Sequence, residues 1–363
     1  DGTISVTNPA GGLTSALQPL MESSGGTWVA WGSGSADFDV VNAQDEAEVP
    51  PDDPAYTLRR VRLTPQEVRS YYVESANRAL WPLCHLQFNH FTFDQEHWEV
   101  YRKVNERFAR AARKAAGDEP ATVWIQDYHF GLAPRMLRKR NDTFVHQFWH
   151  IPWPPADVLR ALPVARRLLR GLLGNDLLVF QTDRYVVNFL SSVAEFLGEA
   201  VVDLDNGTVG FQGHTTRVSA HAISIDVDNY EEVARSEAVV EAARRIRRTL
   251  APRGRILLGV DRIDYSKGIP RRFNAFVRLL ESRPDLRGKV TLVQVAVPSR
   301  EAIGSYRALE RSVVSMANKC NAKYGTERWK PVVLIRDNLD TVALAAHYRA
   351  ADICLVSSLQ DGM

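Results

Sequence analysis

Several apolar runs in this 363-residue chain end on side chains that bind anions or move protons. Asp127-Tyr128-His129, His150, Gln181-Thr182, Asp261–Gly268, Pro298-Ser299-Arg300 and Asp361-Gly362 each stand at such an end. The richest is Val260-Asp-Arg-Ile-Asp-Tyr-Ser-Lys-Gly-Ile-Pro270, a polar loop with Arg262 and Lys267 in which Gly268 precedes a helix begun by Pro270. Two cations beside helical N–H groups suit a diphosphate, because the side chains and the helix dipole act on one anion. The plainer reading is a surface loop whose cations pair with Asp261 and Asp264. Nothing here matches GxxxxGK[ST], which disfavours a P-loop nucleotide hydrolase.

Other positions are more ambiguous. Pro9-Ala-Gly-Gly-Leu-Thr14 places Gly12 in a glycine pair entering a helix, expected over 15–21; a tight turn is the plainer reading, and close backbone approach to a phosphate or sugar is the alternative. His150 is followed by prolines 152, 154 and 155, which fix the loop and hold the imidazole at a strand end. Taken alone, His150 reads as a satisfied structural group, Asp127 as a helix cap, and Tyr72 and Trp81 as core aromatics. Trp28 and Trp31, flanking glycines, carry the same ambiguity, and Arg244–Arg248 reads as a solvated helix face.

The elements that must position these groups follow from periodicity. Thr64-Pro65-Gln66-Glu67 is a capping box and starts a helix running to about Trp81. Trp98, Tyr101, Val104, Phe108 and Ala111/Ala112 mark a second helix over 94–116, stopped by Gly117. From Ala121 onward, short apolar runs at 122–126, 144–148, 177–180, 256–260, 290–296, 332–335 and 353–356 alternate with helical stretches at 130–140, 183–197, 271–282 and 340–350. That alternation predicts an α/β chain of doubly wound parallel sheets, in which ligands collect beyond the carboxyl ends of the strands. An antiparallel patch turning at Asn206-Gly207 interrupts it. Residues 37–53 carry seven acids and no base, which predicts a solvated surface excursion. The domain boundary is expected within 226–254, giving lobes 1–230 and 231–363.

Composition sets the outer bounds. At 45% hydrophobic and 24% charged residues the chain is globular, and length predicts about two domains. Lys plus Arg is 45 against 43 for Asp plus Glu, a net charge of +2, too even for a dedicated nucleic-acid binder. Cys84, Cys320 and Cys354 form no CxxC pair, so neither a disulfide framework nor a zinc site is expected, and a reducing compartment fits. The absence of an apolar run of about 18 residues and of a basic, apolar leader argues against a membrane partner and a signal peptide.

Taken together, the segments resemble the trehalose-6-phosphate synthase family of retaining glycosyltransferases, which join UDP-glucose to glucose 6-phosphate. The resemblance rests on Gly11-Gly-Leu13, Gly26-Thr-Trp-Val-Ala-Trp31, Tyr72…Asn77…Leu80-Trp-Pro82, Trp124-Ile-Gln-Asp-Tyr-His129, His150-Ile-Pro-Trp-Pro154, Phe180-Gln-Thr182, Asp261–Gly268, Pro298-Ser-Arg300, Asn321-Ala-Lys-Tyr-Gly325 and Asp361-Gly-Met363, in order along the chain. It implies the GT-B architecture, two Rossmann-like lobes with the active site in the cleft between them, and no metal or other cofactor. Carried over by position, Arg262 and Lys267 would hold the diphosphate and stabilise the leaving charge. His150 and Asp361 would bind the donor glucose, with backbone near Gly12 and the segment of Leu339, Gly362 and Met363 completing the donor site. Tyr72, Trp81, Asp127 and Arg300 would form the acceptor pocket, with Tyr72 and Arg300 on its phosphate. His150 and Asp127 join Arg262 and Lys267 as the expected catalytic set. Retention in this family is described as front-face attack with the donor phosphate taking the proton, so no protein general base is assigned. The resemblance also implies a cytoplasmic enzyme of trehalose biosynthesis and osmoprotection, and is compatible with a homo-oligomer.

The family's Asn-Arg-x-Pro segment is not seen before Asp1, and its ribose-binding glutamate would lie beyond Asp361-Gly-Met363, so the sequence is expected to be part of a longer enzyme. Three alternatives stand beside the main reading: a glucosylglycerol-phosphate synthase using glycerol 3-phosphate, a non-catalytic sugar-phosphate-binding relative, and a glycoside hydrolase pairing Asp127 with Asp361. Arg300 after Pro-Ser and the run Asp264-Tyr-Ser-Lys-Gly268 favour the trehalose enzyme.

Overall fold

The computed structural model of the chain describes residues 12–32, 34–138 and 143–362. Met363 of the expected donor site, Gly11 of the stretch Gly11-Gly-Leu13, and the end of the helix expected over 130–140 lie outside them. The chain divides into two compact units, one running to Ile223 and joined by Gly362, the other Ser224–Asp361.

The first unit opens with helix α1 (Gly12–Ser24), longer at both ends than expected, and a three-stranded sheet. Its strands are β1 (Thr27–Trp31), β2 (Glu46–Val49) and β3 (Tyr56–Val61), in the order β1-β3-β2. The acidic stretch is therefore a solvated excursion only in part: Asp39, Glu48, Asp52 and Asp53 are exposed, whereas Asp37, Asp45 and Glu46 are tied to the sheet. β2 runs antiparallel to β3 with Glu46 opposite Arg59, and these two side chains form an ion pair. Arg60 binds Asp37 at 2.9 Å and Arg62 binds Asp45 at 3.0 Å, so three arginines of the next segment neutralise acids of this one. Opposite charges on facing strands support a sheet where one sign alone would oppose it.

Helix α2 (Pro65–Val68) begins on the expected capping box: the Thr64 hydroxyl accepts from the Glu67 N–H, and the Glu67 carboxylate accepts from the Thr64 N–H. It continues through a wide helix, Arg69–Leu80, into α3 (Trp81–Cys84). In the wide segment hydrogen bonds reach five residues back, as from Trp81 N–H to the Ala76 carbonyl. α4 (Gln95–Ala116), capped by Asp94, buries Trp98, Tyr101, Val104, Asn105, Phe108 and Ala109 along one stripe. Each large apolar side chain so buried contributes about 1.5–3 kcal/mol.

The main sheet of this unit has the order β4-β5-β6-β9-β8-β7. Strands β4 (Ala121–Gln126), β5 (Thr143–Trp149) and β6 (Leu177–Phe180) are parallel and alternate with α5 (Ala133–Leu137), α6 (Ala156–Leu159), α7 (Ala165–Leu172) and α8 (Asp183–Phe196). β7 (Val201–Asp203), β8 (Thr208–Phe211) and β9 (His214–Ala220) form the antiparallel patch, and β9 returns parallel to β6. Trp149, Trp153, Phe180 and Phe189 fill the space under the helices, with rings 5.0–5.9 Å apart.

The second unit is a parallel sheet, β12-β11-β10-β13. Helices α9 (Val227–Arg235) and α10 (Glu237–Leu250) lead into β10 (Arg255–Arg262). Then come α11 (Ile269–Ser282), β11 (Val290–Val297), α12 (Gly304–Tyr324), β12 (Val332–Ile335), α13 (Thr341–Ala350) and the short β13 (Ile353–Cys354). One core cluster joins α11 and α12 to the sheet through Phe273, Phe276, Leu292 and Val313; the other joins α10 and α13 through Val239, Ala243, Leu258 and Ala346. The arginine run on α10 is not uniformly solvated: Arg247 donates to the Ala350 carbonyl and pairs with Asp352 at 2.9 Å, fastening α10 to the start of β13. Among the described residues, no helix is long and apolar enough to cross a membrane.

Candidate active-site residues in the two units

In the first unit β4 and β5 are hydrogen-bonded neighbours with Gln126 opposite Phe148, so Asp127 and His150 leave adjacent strand ends. Asp127 N–H donates to the Phe148 carbonyl at 2.7 Å, and its carboxylate accepts from Tyr128 N–H at 2.9 Å and His150 N–H at 3.2 Å. The His150 ring lies with Nε2 2.7 Å from Gln126 Oε1 and Nδ1 3.4 Å from Gln181 Nε2. Burial holds its pKa down to about 4, so the imidazole is neutral at physiological pH. The turn after Asp127 is fastened by two polar side chains of α4. Tyr101 Oη donates to the Tyr128 carbonyl and accepts from Gly131 N–H; Asn105 donates to the His129 carbonyl and accepts from Leu132 N–H.

The wide helix brings Tyr72 and Trp81 toward the same turn. Tyr72 stacks on His129, with centroids 5.4 Å apart and planes at 11°, and Trp31 meets Tyr72 edge-on at 5.3 Å. Trp81 is buried, stacked on His85 at 4.0 Å and 5.9 Å from the Tyr128 ring. Asn77 ties Tyr72 to Tyr128: it donates to the Tyr72 carbonyl and accepts from Tyr128 Oη, both at 2.8 Å. Tyr72, Trp81, Asp127 and His150 thus form one constellation around Tyr128 and His129. Gly362 packs against the backbone of His150 and Ile151, whereas Gly12 begins α1.

In the second unit, Arg262 ends β10 as an exposed side chain whose guanidinium makes no ion pair among the described residues. Lys267 closes a short turn capped by Asp264, whose carboxylate accepts from Ser266 N–H at 2.9 Å. Gly268 then takes φ 68°, and a Cβ there would strike the Ser357 carbonyl and approach Leu359, so the crossing into α11 needs glycine. The Lys267 ammonium pairs with the Asp361 carboxylate. Arg300 follows β11 and donates to Asp264 at 2.7 Å, close to the Tyr306 hydroxyl at 2.8 Å. Asp264 is wholly buried, which requires such a partner. Leu339 lies half-buried against the α10–α13 cluster, one residue before the Asp340 cap of α13.

Three supporting residues were not singled out from the sequence. Gln147, between His146 and Phe148 of β5, is fully buried and donates to the Asp127 carbonyl at 3.0 Å. Gln126, beside Asp127, holds the His150 ring. Arg272, five residues past Lys267, is buried and bonds Asp261, Gln294 Oε1 at 2.6 Å and Ser357 Oγ at 3.0 Å. A lone amide inside an apolar run was the available signal for Gln147. Among the described residues no group of three or more His, Cys, Asp or Glu is placed to hold a metal ion.

The family model for glycosyltransferase family 20 matches residues 1–363. The chain is 37% identical over 371 residues to a trehalose-6-phosphate synthase of Mycolicibacterium vanbaalenii, covering 100% of this chain and 74% of that protein. It is 34% identical to a bifunctional trehalose-6-phosphate synthase/phosphatase of Thermoproteus tenax over 97% of this chain, and spans 48% of that protein's length. Two solved structures are similar to it at 28% identity. One is a UDP-forming α,α-trehalose-phosphate synthase of Burkholderia xenovorans in complex with glucose-6-phosphate, at a TM-score of 0.87 over 98% of this chain and 77% of that one. The other, from E. coli, is bound with UDP-2-fluoro glucose, at 0.86 over 99% and 78%. The fold is accordingly α/β of the GT-B kind, with two Rossmann-like lobes. With the family model matching from end to end and relatives above one third identical, the chain belongs to glycosyltransferase family 20.

Proposed function

We propose that this protein transfers glucose from UDP-glucose to glucose 6-phosphate with retention of configuration, giving trehalose 6-phosphate and UDP. The observation that carries the reading is the loop at the end of β10, where Arg262, with no ion pair among the described residues, and Lys267, paired with Asp361, precede the left-handed Gly268 and a 14-residue helix. Breaking a glycosyl–phosphate bond builds charge on the departing diphosphate. Preorganised cations there are the strongest available lever, and loss of one such group costs about 3–4 kcal/mol. The names of the relatives, and the two ligands held in the B. xenovorans and E. coli structures, support the same donor and acceptor.

In this reading Arg262 and Lys267 hold the diphosphate. Neutral His150 and Asp361 bind donor hydroxyls, with backbone near Gly12 and Gly362 and the segments of Leu339 and Met363 beside them. Tyr72, Trp81, Asp127 and Arg300 take the acceptor, Tyr72 and Arg300 at its phosphate. Holding both sugars in register supplies the proximity contribution, and the donor phosphate accepts the acceptor proton, so no side chain acts as general base. The reaction uses no metal or other cofactor, in a cytoplasmic protein that engages neither nucleic acid nor membrane.

Initial rates with glucose 6-phosphate against glycerol 3-phosphate, and with UDP- against GDP- and ADP-glucose, test the proposal. The expected result is fastest turnover with UDP-glucose and glucose 6-phosphate. A preference for glycerol 3-phosphate would reassign the acceptor, and binding of both substrates without a disaccharide phosphate product would make the protein a sensor.

A further inference from the structure

Asp127 holds a backbone conformation that aspartate rarely adopts. Its φ is 66° and its ψ −177°, a region left almost wholly to glycine because a Cβ collides with the flanking peptide there. Such a conformation persists only where the surroundings over-determine it. Three groups of the peptide and side chain are held: the N–H on the Phe148 carbonyl at 2.7 Å, the carboxylate under Tyr128 N–H and His150 N–H, and the carbonyl under Gln147 Nε2 at 3.0 Å.

The last of these is built at a cost. Gln147 is 0% exposed within β5, and its partners on the two flanking strands, Ile125 and Leu178, are apolar. A buried amide is unfavourable unless it is hydrogen-bonded, and an aliphatic side chain would fill the same space without desolvation. Its Oε1 is occupied by Asn175 Nδ2 at 3.1 Å, and Asn175 is likewise fully buried. Asn175 is itself anchored: Nδ2 also donates to the Leu172 carbonyl, and its backbone carbonyl accepts from Thr216 Oγ1 at 2.8 Å. A buried amide relay thus runs from the α7–β6 turn to the strained peptide.

We propose that Gln147 is a positioning residue: the Asn175–Gln147 relay clamps the Asp127 peptide in its strained conformation and so aims the Asp127 carboxylate. The part of this that concerns the acceptor rests on the reading of Asp127 as an acceptor ligand.

Melting temperatures of paired variants test the clamp without recourse to activity. Asp127→Gly and Asp127→Ala both delete the carboxylate and differ in the Cβ that strains the backbone. Glycine ordinarily destabilises relative to alanine. Here Asp127→Gly is expected to melt about 2–5 °C above Asp127→Ala. In a Gln147→Met background the difference is expected to fall to a third or less. Equal melting of the two variants in the native background would remove the strain, and an undiminished difference in the Gln147→Met background would remove Gln147 from it. If Gln147→Met does not fold, Gln147→Asn, which keeps an amide but shortens its reach, replaces it with the same expectations. In kinetics, Gln147→Met is expected to raise the glucose 6-phosphate KM roughly 10-fold, about the size of one lost hydrogen bond, with the UDP-glucose KM unchanged within roughly 2-fold. Equal effects on both KM values would overturn the aiming. A protein that does not use glucose 6-phosphate leaves the melting comparison intact, so failure of the acceptor reading is told apart from failure of the clamp.

Discussion

The ammonium of Lys267 is paired with the carboxylate of Asp361, 94 positions further along the chain. With side chains 20% and 36% exposed, the pair itself adds little stability, of the order of 0–1 kcal/mol. Its consequence is for ligands, since an anion arriving at Lys267 also meets the charge of Asp361. Asp361→Asn removes that repulsion, and UDP without sugar is expected to bind roughly 3–10-fold more tightly by calorimetry, the scale of one screened charge pair. Weaker UDP binding would contradict this arrangement.

Removing the cation has the opposite outcome. Lys267→Ala is expected to lower turnover by ~10²-fold or more, the scale of losing one preorganised charge-stabilising group. A near-normal rate in steady-state assays would contradict the diphosphate assignment.

Arg300 sits with its side chain 7% exposed against the fully buried Asp264 at 2.7 Å. Arg300→Ala is expected to raise the KM for glucose 6-phosphate far more than that for UDP-glucose; equal effects would remove it from the acceptor site. Asp264→Ala leaves a buried guanidinium without its carboxylate and is expected to cost about 3–5 kcal/mol in chemical denaturation.

His150 gives a pH dependence of known sign. Burial depresses its pKa from 6.5 in the unfolded chain to about 4 in the folded one. Between those values the unfolded state binds the extra proton. The contribution is therefore complete above about pH 6.5 and is lost as pH falls toward 4, with a total of roughly 3 kcal/mol. Melting curves from pH 7.5 to 4 are expected to show this loss in the native protein and less of it in His150→Asn; identical pH slopes would contradict a desolvated His150.

Much of the α/β core was legible in the sequence. Buried parallel strands announce themselves as short apolar runs, and 177–180 and 332–335 fall where the pattern placed them. The amino-terminal sheet was not, because its support is non-local: Asp37, Asp45 and Glu46 read as solvated until Arg59, Arg60 and Arg62 are set beside them. The wide helix over 69–80 was read only as helix, since side-chain periodicity does not reveal a bond reaching back five residues. For the candidate site, the strand-end residue types were visible, but adjacency was not. That Asp127 N–H reaches Phe148, and His150 reaches back to Asp127 and Gln126, follows from the pairing of β4 with β5, which no local pattern specifies. Gln147 supports that site from inside β5 and carries no motif of its own.

The most direct test of the central claim is the structure of the product formed from UDP-glucose labelled with carbon-13 at C1 and unlabelled glucose 6-phosphate, read by NMR. The expected result is UDP release matched by a labelled α-anomeric carbon in a 1,1-linked disaccharide phosphate. Labelled free glucose, a β-anomeric signal, or no transfer by the full-length protein would contradict it.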